Sequence, residues 1–191
     1  MTTILSVNKK PEIKVVANLA HTIWKEHYTP IIGEDQVVFM LNKFQSENAI
    51  SAQIKEGFNY FLIAHQEAYV GYFAFCLQKD TLFLSKFYVL RSERGRGYGK
   101  AALKFIETKA KNLGSKKIKL TVNKNNSNSI KAYEKMGFIN VQSIVQDIGN
   151  GFVMDDFVLE KYSLKAFNFS INRSQILNIG PANRLNTIFK K

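Results

Sequence analysis

The segment with the clearest chemical potential is a glycine-rich stretch between a strand-like run and a helix-like run. Residues 94–100 read Arg-Gly-Arg-Gly-Tyr-Gly-Lys, so glycine recurs at alternate positions among basic side chains. Glycine lets the backbone approach a ligand closely. The first N–H groups of a helix lack internal partners and carry partial positive charge. Such a turn can bind phosphate, and Arg91, Arg94, Arg96 and Lys100 would add full positive charges around it.

Two common phosphate-binding motifs do not fit this stretch. A P-loop needs glycine where Arg94 stands and Ser or Thr where Ala101 stands. A dinucleotide-binding fingerprint needs a third glycine at Lys100 and an acid about 20 residues later, where the chain is basic. The pattern that does fit is Arg-x-x-Gly-x-Gly over residues 94–99. The alternative interpretation is a glycine-rich turn with a solvated basic face.

A second segment reinforces the first. A short strand ends in Leu-Thr-Val at residues 120–122. Asn126 follows, and residues 133–138 read Tyr-Glu-Lys-Met-Gly-Phe. By itself this could be a capped helix in which Tyr133 is an ordinary aromatic. In order and spacing, however, the two segments resemble the coenzyme-binding segments of the GNAT superfamily of N-acetyltransferases, and the whole chain resembles its PaiA-type polyamine acetyltransferases.

The resemblance implies that acetyl-CoA is the co-substrate, without a metal, and that it lies between a fourth and a fifth strand that splay apart. Tyr133 would be the general acid that protonates the departing thiolate and would also contact the cofactor. Backbone groups of residues 87–89 would bind the pantetheine and acetyl end, and residues 94–100 the pyrophosphate. Asn126 and Ser129 would lie beside the pantetheine arm. The implied cofactor set is Phe87, Tyr88, Val89, Arg94, Gly95, Arg96, Gly97, Tyr98, Gly99, Lys100, Asn126, Ser129 and Tyr133.

The base and the acceptor site are less specified. Many relatives carry a Glu in the fourth strand, but this chain has Ser85 and Lys86 there, so Glu26, His27, Asp155 and Asp156 remain as candidate bases. Alternation requires one of the two aspartates to face inward, unless the strand is bulged or at an edge. The acceptor candidates are Trp24, His27, Tyr28, Asp155 and Asp156, with core packing as the alternative for Trp24 and His27.

The elements that must position these residues follow from periodicity. We expect helices over 12–28 (ended by Thr29-Pro30), 34–44, 46–55, 98–113 and 127–136, and strands over 3–7, 59–65, 68–77, 81–90, 116–122, 139–148 and 152–161. This order predicts an α/β (α+β) fold with a mixed, mostly antiparallel central sheet of about seven strands flanked by helices. We expect one catalytic domain over residues 1–161 and a basic extension of unknown role over residues 162–191.

Composition narrows the class of protein. The 191 residues carry a formal net charge of +12, which favours anionic partners such as a phosphorylated cofactor. The single cysteine, Cys76, allows neither an intrachain disulfide nor a cysteine-based zinc site. No apolar run approaches the roughly 20 residues of a membrane helix, so we expect a cytoplasmic protein without a membrane partner. We do not expect a nucleic-acid partner, although the basic extension slightly favours one, and a homodimer through the extension is one option.

The resemblance thus implies an N-acetyltransferase that acts on a small-molecule amine, with a polyamine as one candidate. Two alternatives stay open at this stage. One is a protein N-terminal or lysine acetyltransferase, which would need an open groove lined by backbone acceptors. The other is a sensor that binds acetyl-CoA without turnover.

Overall fold

Seven strands and five helices make up residues 1–163, the part of the chain that the computed structural model describes. The strands are β1 (Thr2–Ser6), β2 (Asn59–His65), β3 (Ala68–Gln78), β4 (Thr81–Val89), β5 (Lys117–Asn123), β6 (Ile139–Gly149) and β7 (Phe152–Tyr162). The helices are α1 (Lys10–Ile32), α2 (Glu34–Met40, continued by a wide turn at Leu41–Gln45), α3 (Glu47–Lys55), α4 (Tyr98–Asn112) and α5 (Ser127–Lys135). The basic extension expected at 162–191 lies, beyond Ser163, outside the described residues.

The strands form one sheet in the order β1-β2-β3-β4-β5-β7-β6. Within residues 1–163 all neighbouring strands pair antiparallel except β4 and β5, which are parallel and are connected through α4. The expected mixed, mostly antiparallel sheet of seven strands is therefore confirmed.

Alternating side chains give the sheet two apolar faces. Along β5, Ile118, Leu120 and Val122 are buried and join the cluster that packs under α4. On the opposite face, Tyr72 of β3 and Leu62 of β2 belong to a second cluster that packs under α1, α2 and α3. Along β7, side chains with even residue numbers face the α1 side of the sheet, as Met154 does. Side chains with odd residue numbers face the α4 side, as Leu159 does.

Helix α1 is longer than expected, and the predicted stop at Thr29-Pro30 is wrong. Pro30 lacks an amide hydrogen and so cannot donate to the preceding turn. The helical pattern resumes beyond it, since the N–H of Gly33 donates to the Thr29 carbonyl at 3.0 Å. Gly33, at φ +83°, ends the helix. His27 and Tyr28, predicted at the end of this helix, therefore have one more turn of it after them.

The expected splay between the fourth and fifth strands is confirmed. The β4–β5 pairing runs only from Thr81 opposite Lys117 to Phe83 opposite Lys119. The next residues of β4 contain a bulge against β3 that leaves Ser85 without a partner, and a bulge bends its strand. Beyond this point β5 remains paired with β7, so β4 and β5 diverge and a wedge opens between them.

Candidate functional site

A cleft of about 230 Å³ occupies the wedge between β4 and β5. Its walls come from α1, β4, the turn that follows β4, β5 and α5. Nine of the candidates named from sequence line it: His27, Tyr28, Phe87, Tyr88, Val89, Arg94, Asn126, Ser129 and Tyr133. The fold therefore brings together residues that are more than 100 positions apart in the chain.

The exposed edge of β4 supplies backbone hydrogen-bonding groups to this cleft. Leu90, just after the strand, donates its N–H to the Val70 carbonyl on β3 at 2.9 Å. Because backbone groups alternate between the two edges of a strand, those of Val89 and Phe87 face the gap toward β5. The Val89 carbonyl accepts from Arg94 Nε at 3.1 Å. The N–H groups of Phe87 and Val89 remain as donors on this edge.

The glycine-rich turn has the backbone geometry of an anion site. Gly95 and Gly97 have φ values of +81° and +86°, which side-chain-bearing residues rarely adopt. Gly97 is the N-cap of α4, and its carbonyl accepts from the Ala101 N–H at 3.0 Å. The N–H groups of residues 98–100 therefore have no partner within the helix. The buried Tyr98 ring anchors the start of the helix 5.3 Å from the His65 ring.

The basic side chains around this turn are mostly solvated. Arg96 pairs with Glu93 at 3.2 Å, and its side chain is 61% exposed. Arg91 lies 4.0 Å from Glu26, also at the surface, and Lys100 is exposed. Exposed pairs of this kind contribute little to stability, so these charges are free to interact with an anion.

Asn126 and Tyr133 stand on the α5 wall of the cleft. Asn126 is buried and caps α5, since its Oδ1 accepts from the Ser129 N–H at 3.3 Å. The Tyr133 ring packs 6.3 Å from Phe87 and 5.6 Å from Phe138. Burial raises the pKa of the Tyr133 hydroxyl well above its ordinary value, so the group stays protonated across the physiological range. In the described part of the chain no residue hydrogen-bonds this hydroxyl, which opens on the cleft.

The α1 wall is aromatic. Trp24 is buried and stacks on Tyr28 with ring centroids 4.5 Å apart, and Tyr88 lies 5.9 Å from Trp24. Burial raises the pKa of Tyr28 to about 12, so this hydroxyl also remains neutral. Trp24 is a packing residue behind the cleft wall, whereas Tyr28 and Tyr88 reach the cleft.

The two adjacent aspartates lie on opposite faces of β7. Asp155 forms an ion pair with Lys124 on the α4 side, and its side chain is half exposed. Asp156 is 6% exposed, on the α1 side. Burial raises its pKa, and a hydrogen bond from the Thr121 hydroxyl opposes that rise. Asp156 does not line the cleft directly but lies behind Thr121 and near Tyr28, which do.

Ser85 and Lys86 lie on β4, the strand in which many relatives carry a glutamate. Lys86 is buried and lies opposite Ala74 of β3. Its Nζ donates to Gln53 Oε1 at 2.8 Å and to Ser85 Oγ at 3.1 Å. Burial lowers its pKa to about 8. Ser85 reaches the cleft, whereas the Lys86 amine is directed toward α3. The β4 strand therefore supplies no carboxylate to the site.

Sequence patterns do not single out Thr121, although it lines the cleft and contacts Asp156. The available signal is that Thr121 is a polar residue on a strand whose alternate positions are buried. The contact of His27 with Asn126 and Arg94 has no signal in the sequence, because it depends on how α1 packs over the sheet.

Within residues 1–163, no three His, Cys, Asp or Glu side chains lie close enough together to bind a metal ion. No helix in the same range is both long and apolar enough to span a bilayer.

Comparison with known proteins was made by sequence and by structure. A sequence model described as the acetyltransferase (GNAT) family matches residues 20–138, more than half of the chain. No curated protein matches it by sequence.

Among solved structures, the PaiA N-acetyltransferase of Thermoplasma acidophilum, in complex with coenzyme A, is 19% identical. It aligns over 85% of this chain and 99% of its own with a TM-score of 0.70. The ribosomal-protein-S18-alanine N-acetyltransferase of Escherichia coli is 16% identical over 85% and 94% of the two chains, with a TM-score of 0.64. A spermidine N-acetyltransferase SpeG chimera from Vibrio cholerae and hSSAT is 15% identical over 87% and 98%, also with a TM-score of 0.64. At these identities the likeness concerns the fold.

Proposed function

The chain belongs to the GNAT family of acetyltransferases, and on that premise we propose that it transfers the acetyl group of acetyl-CoA directly to the primary amine of a small molecule. The observation that carries this proposal is the wedge between β4 and β5. There a strand edge with free donors and a protonated tyrosine line one cleft, and Arg94 lines it from the turn that leads to the N-terminus of α4. We assign the whole reaction to the unit formed by residues 1–161.

In this proposal the cofactor lies along the wedge. Its pyrophosphate binds the N–H groups of residues 98–100 at the N-terminus of α4, with Gly95, Gly97 and Gly99 allowing close approach. The exposed Arg96 and Lys100 add charge there. The pantetheine arm passes between the β4 edge and Asn126 and Ser129, and the thioester ends near Phe87 and Tyr133.

The chemistry then follows from the groups at that end of the cleft. A neutral amine attacks the thioester carbonyl, so a C–N bond forms as the C–S bond breaks. The N–H groups on the free edge of β4 stabilise the oxyanion that develops. The departing thiolate gains a proton from the Tyr133 hydroxyl, and the proton that the amine releases returns to Tyr133. A thiol has a reference pKa of about 8.5 and a tyrosine about 10, so the first transfer is unfavourable by itself and is completed by the return of the amine proton.

Asp156 supports an amine as the acceptor. It is a buried carboxylate that pairs with no basic side chain within 4 Å in the described residues, and a buried acid without a cation is costly. A cationic amine held near Thr121 and Tyr28 would offset that cost and would have the Asp156 carboxylate nearby to take its proton. The rise in the pKa of Asp156 makes the carboxylate a better proton acceptor than an exposed aspartate.

The α1 wall supports a small acceptor. Helix α1 closes over the cleft, where His27 and Tyr28 contact Asn126 on the opposite wall. A peptide would need an open groove at this position, so a polyamine or similar small amine fits better than a protein.

The test is a thiol-release assay with acetyl-CoA across spermidine, amino sugars and short peptides, together with calorimetry of coenzyme A binding. Binding with turnover on a small amine is the expected result. Turnover on peptides alone would replace the small-molecule acceptor by a protein one. Binding with no turnover across the panel would favour a sensor, and no binding at all would overturn the proposal.

A further inference from the structure

His27 connects the two walls of the cofactor cleft from a third element. Its Nδ1 lies 3.4 Å from the Arg94 guanidinium, in the turn after β4, and its Nε2 lies 3.2 Å from Asn126 Oδ1, at the start of α5. The ring is half-buried at the end of α1 and stands edge-on to Tyr28 at 4.9 Å. These contacts span 67 and 99 residues of sequence, so they are a product of the fold.

The hydrogen-bonding partners determine the state of the ring. Arginine is only a donor, so Nδ1 must present its lone pair to Arg94. Nε2 therefore carries the hydrogen and donates it to Asn126 Oδ1. The neutral Nε2–H tautomer satisfies both contacts, and the protonated ring satisfies only one of them.

The same contacts orient two groups that the cofactor would meet. Asn126 Oδ1 accepts from both His27 and the Ser129 N–H, which turns its Nδ2 toward Tyr28 and the cleft. An amide in this orientation offers a donor to a pantetheine carbonyl. On the other wall, Arg94 is exposed, but its contacts with His27 and the Val89 carbonyl hold the guanidinium across the cleft mouth.

We propose that neutral His27 is a positioning residue of the cofactor cleft, which fixes the Asn126 amide and the Arg94 guanidinium in the orientations that bind acetyl-CoA. This inference rests on the proposed function, because it assumes that the cofactor lies in this cleft. It also assigns His27 a role other than general base. Both ring nitrogens are engaged by protein groups, and none is left to accept a proton from the amine.

The charges around His27 make this role depend on pH. Arg94 and Arg91 disfavour a second positive charge, whereas Glu26 favours it. Burial and the two arginines together outweigh Glu26 and the hydrogen bond to Asn126, so the pKa of His27 lies below its ordinary value. The neutral ring therefore persists at pH 7, and the bridge to Arg94 breaks only in more acidic solution.

The test compares His27→Phe and His27→Gln with wild type, and uses His21→Gln, an exposed position on the same helix, as the matched control. Calorimetry with coenzyme A measures affinity, and thermal unfolding checks the fold of each variant. The phenylalanine ring cannot form either contact, and the loss of two hydrogen bonds corresponds to a rise in Kd of about tenfold. The glutamine amide can accept from Arg94 and donate to Asn126, so His27→Gln should stay within about threefold of wild type.

A second measurement keeps the proposal testable if His27→Phe does not fold. Dephospho-coenzyme A lacks the 3′-phosphate, which would itself titrate in this range, so its binding is measured from pH 7.5 to 5. Wild type should lose affinity toward the acidic end more steeply than His27→Gln, which has no ring to protonate. Equal affinity of His27→Phe and wild type, or equal pH profiles of wild type and His27→Gln, would overturn the role of His27. Absence of wild-type binding would instead overturn the proposed function.

Discussion

Replacing Tyr133 by phenylalanine isolates the proton-transfer step. The ring contacts with Phe87 and Phe138 are kept. No residue in the described part of the chain hydrogen-bonds the hydroxyl, so its removal leaves no buried group unsatisfied. The expected stability change is therefore small. The expected kinetic change is large, because a positioned general acid contributes about 10²–10⁴-fold, which corresponds to about 3–5 kcal/mol of transition-state stabilisation.

The assay measures thiol release with the amine that gives the highest wild-type turnover, and calorimetry measures coenzyme A affinity. For Tyr133→Phe, kcat should fall by at least about 100-fold, while the dissociation constant stays within about twofold because the hydroxyl contributes to the reaction and not to anchoring the nucleotide. Turnover should show no decline from ionisation of Tyr133 on the alkaline side up to at least pH 10, because its pKa lies above the usual range.

Tyr60→Phe is the matched control. The Tyr60 hydroxyl is remote from the cleft and donates to Gln53 Oε1 at 2.7 Å. Losing that hydrogen bond should lower the free energy of unfolding by about 0.5–1.5 kcal/mol. Each kcal/mol lost should lower Tm by about 2–4 °C, and kcat should not change. The two variants should therefore show opposite patterns. Wild-type turnover in Tyr133→Phe would remove this residue from the mechanism, and a parallel loss of coenzyme affinity would make it a binding residue.

Three further substitutions test the walls of the site. In Gly99→Ala the new Cβ would lie 3.9 Å from the Phe87 ring, an ordinary contact. Because alanine is favoured over glycine within a helix, the free energy of unfolding should rise by about 0.5–1 kcal/mol. The methyl group should nevertheless raise the coenzyme A Kd about tenfold by blocking close approach of the pyrophosphate, and unchanged affinity would place the anion elsewhere. In Gly71→Ala the Cβ would lie 2.3 Å from the Tyr88 carbonyl oxygen, so β4 must shift, with a loss of about 1–3 kcal/mol in denaturant unfolding and weaker coenzyme binding; a fully stable variant would contradict this packing. Asp156→Asn should raise KM for a cationic amine about tenfold, the effect of one charge-assisted hydrogen bond, without changing coenzyme affinity. The raised pKa of Asp156 means that its ionised form opposes folding above pH 3.8, the ordinary value, so this variant should have a higher Tm than wild type at pH 7 and lose that advantage in acid; equal Tm values at both pH values would refute the burial argument.

Much of the site could be predicted because its parts are local in sequence. The turn at residues 94–100 needs glycine at its positive φ values, and the start of α4 follows directly from it. Likewise Asn126 caps the helix that carries Tyr133 two turns later. Local requirements of this kind leave a readable pattern, since each residue type is set by its own backbone conformation and its near neighbours.

Other features could not be read in this way. The extent of α1 was misjudged because Pro30 is a helix breaker by propensity, and packing of the helix against the sheet overrides that preference. Asp155 and Asp156 are equivalent in sequence, and only the register of β7 against β5 shows which one lies behind the cleft. The role of His27 depends on two contacts across the molecule.

By itself the sequence determined the segments that carry the proposed chemistry, since the glycine turn, the helix caps and the strand alternation are encoded within short windows and act through the local backbone. The tertiary structure decided how those segments come together. The separation of β4 from β5, the burial of Asp156 and the position of His27 between Arg94 and Asn126 result from how distant elements pack. Packing is a property of the whole chain, so no single window of sequence contains it.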